Sequence, residues 1–507
     1  MMIRPVESPR HHALDRLRAT AMLLGVVYHT LMFRMFFAGP PLGPMGLTRG
    51  GADRYLQDWL HSFRMPLFFL ISGFFGRMML GKYGTRRYFQ KRWSRIGVPL
   101  VVGLFTFGPA YILTRDALAP MPGPGGPPRA GAFGPSGGEM TPPPPGFVPP
   151  PLARFDEDAD GSLSDAEWKK ARASFDRTPD STPPLGLPPG GPGRGFRPGG
   201  PMPGPFGGPD GGLSERLFGP SARLFHLNHL WFLWYLLVFV TVAPLVSGLL
   251  GRLLARGSSG TVDRLGVRLI RSGFAPVALG IASAPALMLT SGPFGWSLGM
   301  PASIFRGFPD FLLHLDAVMP FYFLFFLAGW WLHCEREALP SLARGWLPYL
   351  LLGTLAFAAS TWLSDTYARR TGLPHYALLR WGGYTLYCVA SAATGFALLG
   401  FFQKYFDKPS STWRYLADTA LWVYMVHQPL VIVGLYWLAP YRSPWWAQMV
   451  GVTLFASAAA LLLYEAVVRP TFLIHLFGPA TPRRTGSDEP VRGPARSAAS
   501  PSVVAHR

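Results

Sequence analysis

Gly382-Gly-Tyr-Thr-Leu-Tyr-Cys-Val-Ala-Ser-Ala-Ala-Thr-Gly-Phe-Ala-Leu-Leu-Gly-Phe-Phe402 contains no Asp, Glu, Lys, Arg or His. At about 1.5 Å of rise per residue, a helix over this run is long enough to cross a hydrocarbon core of about 30 Å, and nothing in it holds a surface to water. Working outward in both directions, similar runs recur at 19–37, 59–79, 96–113, 230–250, 274–291, 311–332, 347–363, 420–438 and 445–467. Together they predict an all-α fold, a polytopic membrane helix bundle of about ten transmembrane helices. The 507 residues are 49% hydrophobic and 15% charged, so the apolar surplus is expected to face lipid.

The formal net charge of +20 does not form the basic stripe of a nucleic-acid-binding surface; it sits in short clusters between the apolar runs. Nucleic acid is therefore not expected as a partner. With the amino terminus inside, Lys and Arg gather on the inner side of the runs, and the positive-inside rule places both termini in the cytoplasm. The first run follows Arg10, Arg16 and Arg18 without a clear small-residue cleavage site, so it reads as an uncleaved first span. Two cysteines, Cys334 and Cys388, lie at the end of one run and inside another, as small buried residues would, and exclude a disulfide framework.

Residues 1–117 hold the first three spans and 214–477 the other seven. The stretch 118–213 is an extracytoplasmic insertion rich in Pro and Gly, and 478–507 is a cytoplasmic tail of Ser, Pro and Arg; neither composition can build a large core. Within the insertion, Asp156-Glu-Asp158-Ala-Asp160-Gly161-Ser162-Leu163-Ser164-Asp165-Ala-Glu167 fits a twelve-residue EF-hand calcium loop. Asp156, Asp158 and Asp160 supply carboxylates and Ser162 its backbone carbonyl. Ser164 is a direct or water-bridged ligand, and Glu167 adds two oxygens from the exiting helix. Proline-rich sequence before the loop leaves little room for an entering helix and no second loop is evident, so weak, roughly millimolar calcium binding to an appendage is expected.

In the first run, Arg18 stands at the cytoplasmic rim and His29 eleven residues deeper. Eleven residues make about three turns, so the two side chains share a face about 16 Å apart, with His29 near mid-membrane. An ionisable residue at that depth is a functional candidate by default. As a neutral imidazole it can take the proton of an acceptor hydroxyl attacking a thioester, or it can carry the acyl group itself.

Arg18, Ala21 and His29 at this spacing combine with Arg64-Met-Pro66-Leu-Phe-Phe-Leu-Ile-Ser72-Gly73-Phe74 and Lys91-Arg92-Trp-Ser-Arg95-Ile-Gly-Val-Pro99. Further on come Leu227-Asn-His-Leu-Trp231-Phe-Leu-Trp-Tyr235 and Leu416-Ala-Asp-Thr-Ala-Leu-Trp-Val-Tyr424-Met-Val-His427-Gln-Pro429. In these motifs, spread over all ten runs, the chain resembles the integral membrane acyltransferase 3 family, most of all its glucan-succinylating branch. The closing Tyr464-Glu-Ala-Val-Val-Arg469-Pro suits the same branch. The resemblance implies a bacterial inner-membrane enzyme that transfers acyl groups other than amino-acyl groups. Its donor would be a cytosolic acyl-CoA, its acceptor a hydroxyl of an extracytoplasmic glycan, and its catalytic residue His29, with Arg18 as the rim arginine. The family does not usually carry the calcium-loop insertion.

Lys91, Arg92 and Arg95 share a helix face, with Arg86 and Arg87 one to two turns earlier. Such a cluster suits the phosphates of coenzyme A, or equally anionic lipid head groups; the resemblance favours the donor. His226, Asn228 and His229 are expected at the outer mouth of the fourth span, and His427 is a second intramembrane ionisable group that can orient His29 or line the same passage. Glu465 and Arg469, four apart, read as a helix-stabilising pair. A transporter or flippase of a lipid-linked sugar would use the same mid-depth polar residues, but it predicts repeated halves with broken helices, and no convincing repeat is found.

Overall fold

In the computed structural model, the described residues are 11–37, 51–118, 155, 164–175, 213–253, 261–288, 301, 304, 306–367, 374–438, 441 and 443–478. Most of them are helical. In chain order the helices are α1 (His12–Phe37), α2 (Ala52–Arg92), α3 (Val98–Phe105), α4 (Phe107–Leu118), α5 (Asp165–Phe175), α6 (Leu213–Phe218), α7 (Trp231–Leu253) and α8 (Thr261–Arg271). They continue as α9 (Ala275–Met288), α10 (Met319–Cys334), α11 (Leu339–Arg344), α12 (Trp346–Tyr367), α13 (Tyr376–Tyr405), α14 (Ser411–Leu438), α15 (Trp445–Leu463) and α16 (Ile474–Phe477). Each expected apolar run overlaps one or more of these helices; residues 289–291 of the run 274–291 lie outside the described residues. Among the described residues, six helical stretches are long and apolar enough to cross a membrane, the first of them, Ala52–Leu118, holding two of the expected runs; α1, α9 and α10, on which the expected runs 19–37, 274–291 and 311–332 fall, are not among the six. The chain is a polytopic helical membrane protein.

Its outer helices show why. On α12, Leu347, Leu351 and Leu355 follow one another at a spacing of four and are exposed, as are Val450, Leu454 and Leu462 on α15. Such ridges are stable only against lipid, where leucine costs nothing to expose. Aromatic residues fill the centre: Phe69 lies 5.0 Å from Phe232 and 5.1 Å from both Phe239 and Tyr322, ring centre to ring centre.

Between packed apolar helices in lipid the attraction comes from close packing, which small residues allow. Helices α2 and α10 cross at two glycines. A Cβ on Gly73 would overlap the backbone carbonyl of Phe326, and one on Gly329 would overlap that of Leu70. Polar links tie the ends. Asp407, in the turn before α14, accepts from the Ala13 N–H at 3.1 Å and so satisfies one of the free donors at the start of α1. At the other end Arg34 pairs with Asp53 at 2.9 Å and donates to Gln448 at 2.9 Å, joining α1 to α2 and α15.

Two expected spans are corrected in detail. The run 96–113 is not one helix: five residues, Trp93–Gly97, form a wide π turn, and α3 stops at Phe105 before α4 begins. Pro109 accounts for the break, because its ring excludes the carbonyl four residues back, which is that of Phe105. The run 311–332 enters its helix only at Met319. Pro320 sits in the first turn, and the preceding Asp316 is drawn into a bond from the Tyr235 hydroxyl at 2.5 Å. Both cysteines are free; Cys388 is buried as expected, whereas Cys334 is exposed at the end of α10. Glu465 and Arg469 do pair, at 2.5 Å, on a π turn that follows α15.

Candidate active site

Helix α1 turns one face to the bundle interior. Ala21, Gly25 and Tyr28 are buried on it, and His29 is half-buried. Small residues there make room for a side chain from α2: the Arg64 guanidinium reaches to 3.2 Å from the position a Cβ on Gly25 would take. Asp58, His61 and Arg64, spaced by three, put a polar line down α2 just before its apolar stretch 65–75, and Pro66 just beyond removes one backbone N–H from it. Arg64 lies over the Tyr28 ring at 4.6 Å, and the His61 ring stacks with Tyr28 at 5.5 Å between ring centres.

Helix α14 supplies the facing wall. The His427 ring is 5.0 Å from His29 and 5.6 Å from His229. Its Nδ1 lies 2.8 Å from the Tyr424 carbonyl and 3.1 Å from that of Val423, so Nδ1 carries the proton and donates; Nε2 is left as a bare lone pair with no hydrogen-bond partner among the described residues. The Gln428 amide nitrogen stands 3.4 Å from His29 Nδ1. The Tyr424 hydroxyl donates to the His229 carbonyl and fastens α14 to the start of α7. Four imidazoles, an arginine and a primary amide therefore converge on one spot.

The outer-mouth residues separate. His226 is half-buried and bridges to Gly307, while Asn228, in the left-handed region at φ 45°, donates to the His226 carbonyl at 3.1 Å. That turn sends His229 inward to His427 instead of leaving it at the mouth. Burial pushes the His226 imidazole below its ordinary value, and the Arg115 charge acts the same way.

The basic cluster also divides. Arg86, Arg87 and Lys91 are exposed on the end of α2, and Lys91 lies 4.9 Å over the Tyr83 ring. Arg92 and Arg95 are half-buried, and both feel the charge of Arg18. Arg18 itself donates to the Ala417 carbonyl at 3.2 Å. The π turn at Trp93–Gly97 shifts the register by one residue between Arg92 and the helix beyond, a device often found at functional sites. A small pocket of about 10 Å³, room for one water, lies between α1, α14 and α15, lined by Met22, Leu23, Ala420, Val423 and Leu461 among others; neither His29 nor the arginines line it.

In the insertion, Asp156, Asp158, Asp160 and Ser162 lie outside the described residues. Ser164 and Glu167 do not. The Ser164 N–H and hydroxyl donate to Glu167 Oε2 at 2.8 and 2.7 Å, and the Glu167 N–H points back to the hydroxyl at 3.4 Å, so the two form a capping box that starts α5. This sets Glu167 in the first turn of the exiting helix, where an EF-hand requires its last ligand, and an all-oxygen donor set suits calcium. Among the described residues no group of His, Cys, Asp and Glu could hold a metal ion.

Sequence reasoning singled out His29, Arg18 and His427; it passed over His61, Arg64 as a charged group, Tyr28, Tyr424 and Gln428. The three-residue spacing of Asp58, His61 and Arg64 was the available signal for two of them.

A model of the acyltransferase 3 family, described as an acyltransferase domain, matches residues 11–465. Among curated proteins the chain is similar to glucans biosynthesis protein C of Salmonella paratyphi B, Salmonella heidelberg and Salmonella agona, 32% identical over 112 residues in each case. That stretch is 22% of this chain and spans 28% of the length of each relative. No solved structure matches. From the family match over nearly all of its helical part, the chain belongs to the acyltransferase 3 family.

Proposed function

We propose that the protein moves an acyl group, succinyl or acetyl, from a cytosolic acyl-CoA to a hydroxyl of an extracytoplasmic glycan, with His29 as general base or transient acyl carrier. The observation that carries this is the station of His29: it is half-buried inside the bundle, three turns along α1 from Arg18, whose charge Arg92 and Arg95 feel, and its ring faces His427, which in turn faces His229. Three guanidiniums suit the phosphates of coenzyme A, which Arg grips in two places at once. The glucan acceptor is supported by the name of the relatives, glucans biosynthesis protein C.

Gln428 decides which nitrogen of His29 is the base. When its amide N–H faces Nδ1, the neutral ring carries its proton on Nε2. When the amide turns over, its oxygen accepts from Nδ1–H and the Nε2 lone pair is free to take a proton from the acceptor hydroxyl. The hydroxyl oxygen then bonds to the thioester carbon, the C–S bond breaks, and the departing thiolate receives the proton from His29. In the acyl-carrier route the same lone pair attacks the thioester carbon and the C–S bond breaks to release the thiolate; the glycan hydroxyl then displaces the imidazole from the acyl group, and its proton goes to the thiolate.

A bacterial inner membrane with both chain termini cytoplasmic fits this direction of transfer, the basic ends of the helices facing the donor. Asp156, Asp158, Asp160, Ser162, Ser164 and Glu167 would hold calcium, which on binding would brace the insertion on the acceptor side. The test is replacement of His29 by Ala with membrane insertion verified, followed by mass analysis of surface glycans from cells making either form. Loss of an acyl mass from the glycans supports the proposal; equal acylation in both removes His29 as the catalyst.

A further inference from the structure

A guanidinium cation in a membrane bundle is costly, and the usual remedy is a carboxylate beside it. Arg54 has two, Asp58 at 3.4 Å and Asp365 at 2.5 Å, and Arg34 has Asp53. Arg64, ten residues along α2 from Arg54, is treated differently. It is 7% exposed, it forms no ion pair among the described residues, and its Nε is buried without a hydrogen-bond partner. The Tyr28 ring face at 4.6 Å offsets part of the cost, but a ring neither neutralises the charge nor accepts the planar fork of N–H groups.

The position of that unsatisfied cation is informative. One arm touches the space above Gly25, one turn before His29 on the same face of α1, and the group lies against Tyr28, the immediate neighbour of His29 in sequence and 5.0 Å from it ring to ring. The charge is within electrostatic range of His29 and His427. A reacting carbonyl held at His29 would therefore lie on the face of α1 against which the Arg64 guanidinium packs, the side from which an acyl-transfer site must offer its oxygen a donor.

We infer that Arg64 is a catalytic residue of the acyl transfer, holding by hydrogen bonds the oxyanion that forms on the thioester carbonyl when the nucleophile adds. The inference rests on the transfer reaction proposed above. As the hydroxyl oxygen, or the His29 nitrogen, bonds to the carbonyl carbon, the carbonyl π pair moves onto oxygen and creates the negative charge that Arg64 lacks in the resting site. Collapse returns that pair to the C–O bond, breaks the C–S bond and expels the thiolate, and Arg64 is again unpaired. A partner that exists only in the transition state is the condition under which a buried charge accelerates a reaction instead of merely tightening binding.

The experiment uses the full chain in lipid nanodiscs with acetyl-CoA or succinyl-CoA and a β-glucan oligosaccharide, following release of the CoA thiol. Arg64→Ala is expected to lower kcat about 100- to 1000-fold with the donor KM within threefold, and millimolar guanidinium is expected to restore at least tenfold of that loss. His29→Ala, equally slow, is expected to gain nothing from guanidinium. Arg64→Lys, which keeps the charge but loses the fork, is expected to fall about tenfold in kcat alone. The assignment is overturned if a folded Arg64 variant turns over at the wild-type rate, or if guanidinium fails to relieve the alanine variant. Should that variant not fold, the lysine variant carries the test: a wild-type kcat overturns the assignment and a fall in kcat alone supports it. No turnover by the wild type, or full turnover by His29→Ala, marks a failure of the transfer reaction itself.

Discussion

Replacement of Gly329 by Ala adds one carbon atom at the tightest crossing of the bundle. Its Cβ would overlap the Leu70 carbonyl oxygen and lie 2.7 Å from the Leu70 carbonyl carbon and 3.0 Å from the Phe74 nitrogen. Ordinary carbon contacts begin near 3.5 Å, so α2 and α10 must separate by roughly 1–2 Å. The atoms in the way are backbone on a paired helix, which cannot rotate aside as a side chain does, and overpacking of this kind costs about 1–3 kcal/mol. Because α2 also carries His61 and Arg64, the displacement moves the site as well as weakening the fold. Cys388, fully buried on α13, is a reporter already in place. In a Cys334→Ser background, which removes the exposed thiol, a thiol-reactive dye labels Cys388 only on unfolding. The labelling temperature of Gly329→Ala is expected to fall by several degrees. Gly395→Ala, where an added Cβ meets no atom of the described residues within 4 Å, is expected to hold or raise it, because alanine is the better helix former by about 1 kcal/mol. Equal labelling temperatures for Gly329→Ala and the parent would refute the close crossing.

Four further outcomes are expected. Arg92→Gln and Arg95→Gln are each expected to weaken donor binding about tenfold, as the loss of one charge-assisted contact does, and the exposed Arg86→Gln and Arg87→Gln less than threefold, measured by calorimetry with a non-hydrolysable acyl-CoA analogue. Gln428→Leu, which offers Nδ1 of His29 no partner in either orientation, is expected to lower kcat at least tenfold while the folding temperature stays within a few degrees, read by CoA release and by dye labelling. Ser164→Ala is expected to weaken calcium binding to the full chain several-fold by removing a capping contact worth about 1 kcal/mol, and Glu167→Gln to abolish it up to several millimolar calcium, both by calorimetry. His226 stays neutral in the folded chain below the pH at which it protonates when unfolded, so the unfolded chain binds the extra proton and stability falls as pH drops below about 6.5. His226→Gln is expected to remove part of that acid sensitivity, compared as labelling temperatures at pH 7.5 and 5.5.

The membrane bundle was legible because its signal is a run of residues long enough to be counted: 382–402 and its counterparts need no tertiary information to announce a helix in lipid. Helix ends were less legible. The breaks at Phe105 and before Met319 depend on Pro109 and Pro320, visible in the sequence, but the weight each carries depends on what the freed segment then packs against, such as Tyr235 with Asp316. His29 was legible because an ionisable side chain in an apolar run stands out. Arg64 did not stand out, since it reads as part of a motif and its meaning lies in an absence of partners that only packing reveals. The inner basic residues were found as one cluster, but Arg86, Arg87 and Lys91 are exposed while Arg92 and Arg95 are half-buried, a division set by packing that helical spacing alone does not foresee.

The most direct measurement seals radiolabelled acyl-CoA inside proteoliposomes and supplies the β-glucan oligosaccharide only outside. The account predicts that, in vesicles whose cytoplasmic face points inward, label appears on the external glycan with the wild-type chain and not with His29→Ala. Label that appears equally with both, or only when donor and acceptor are placed in the same compartment, would contradict a single imidazole serving substrates from opposite sides.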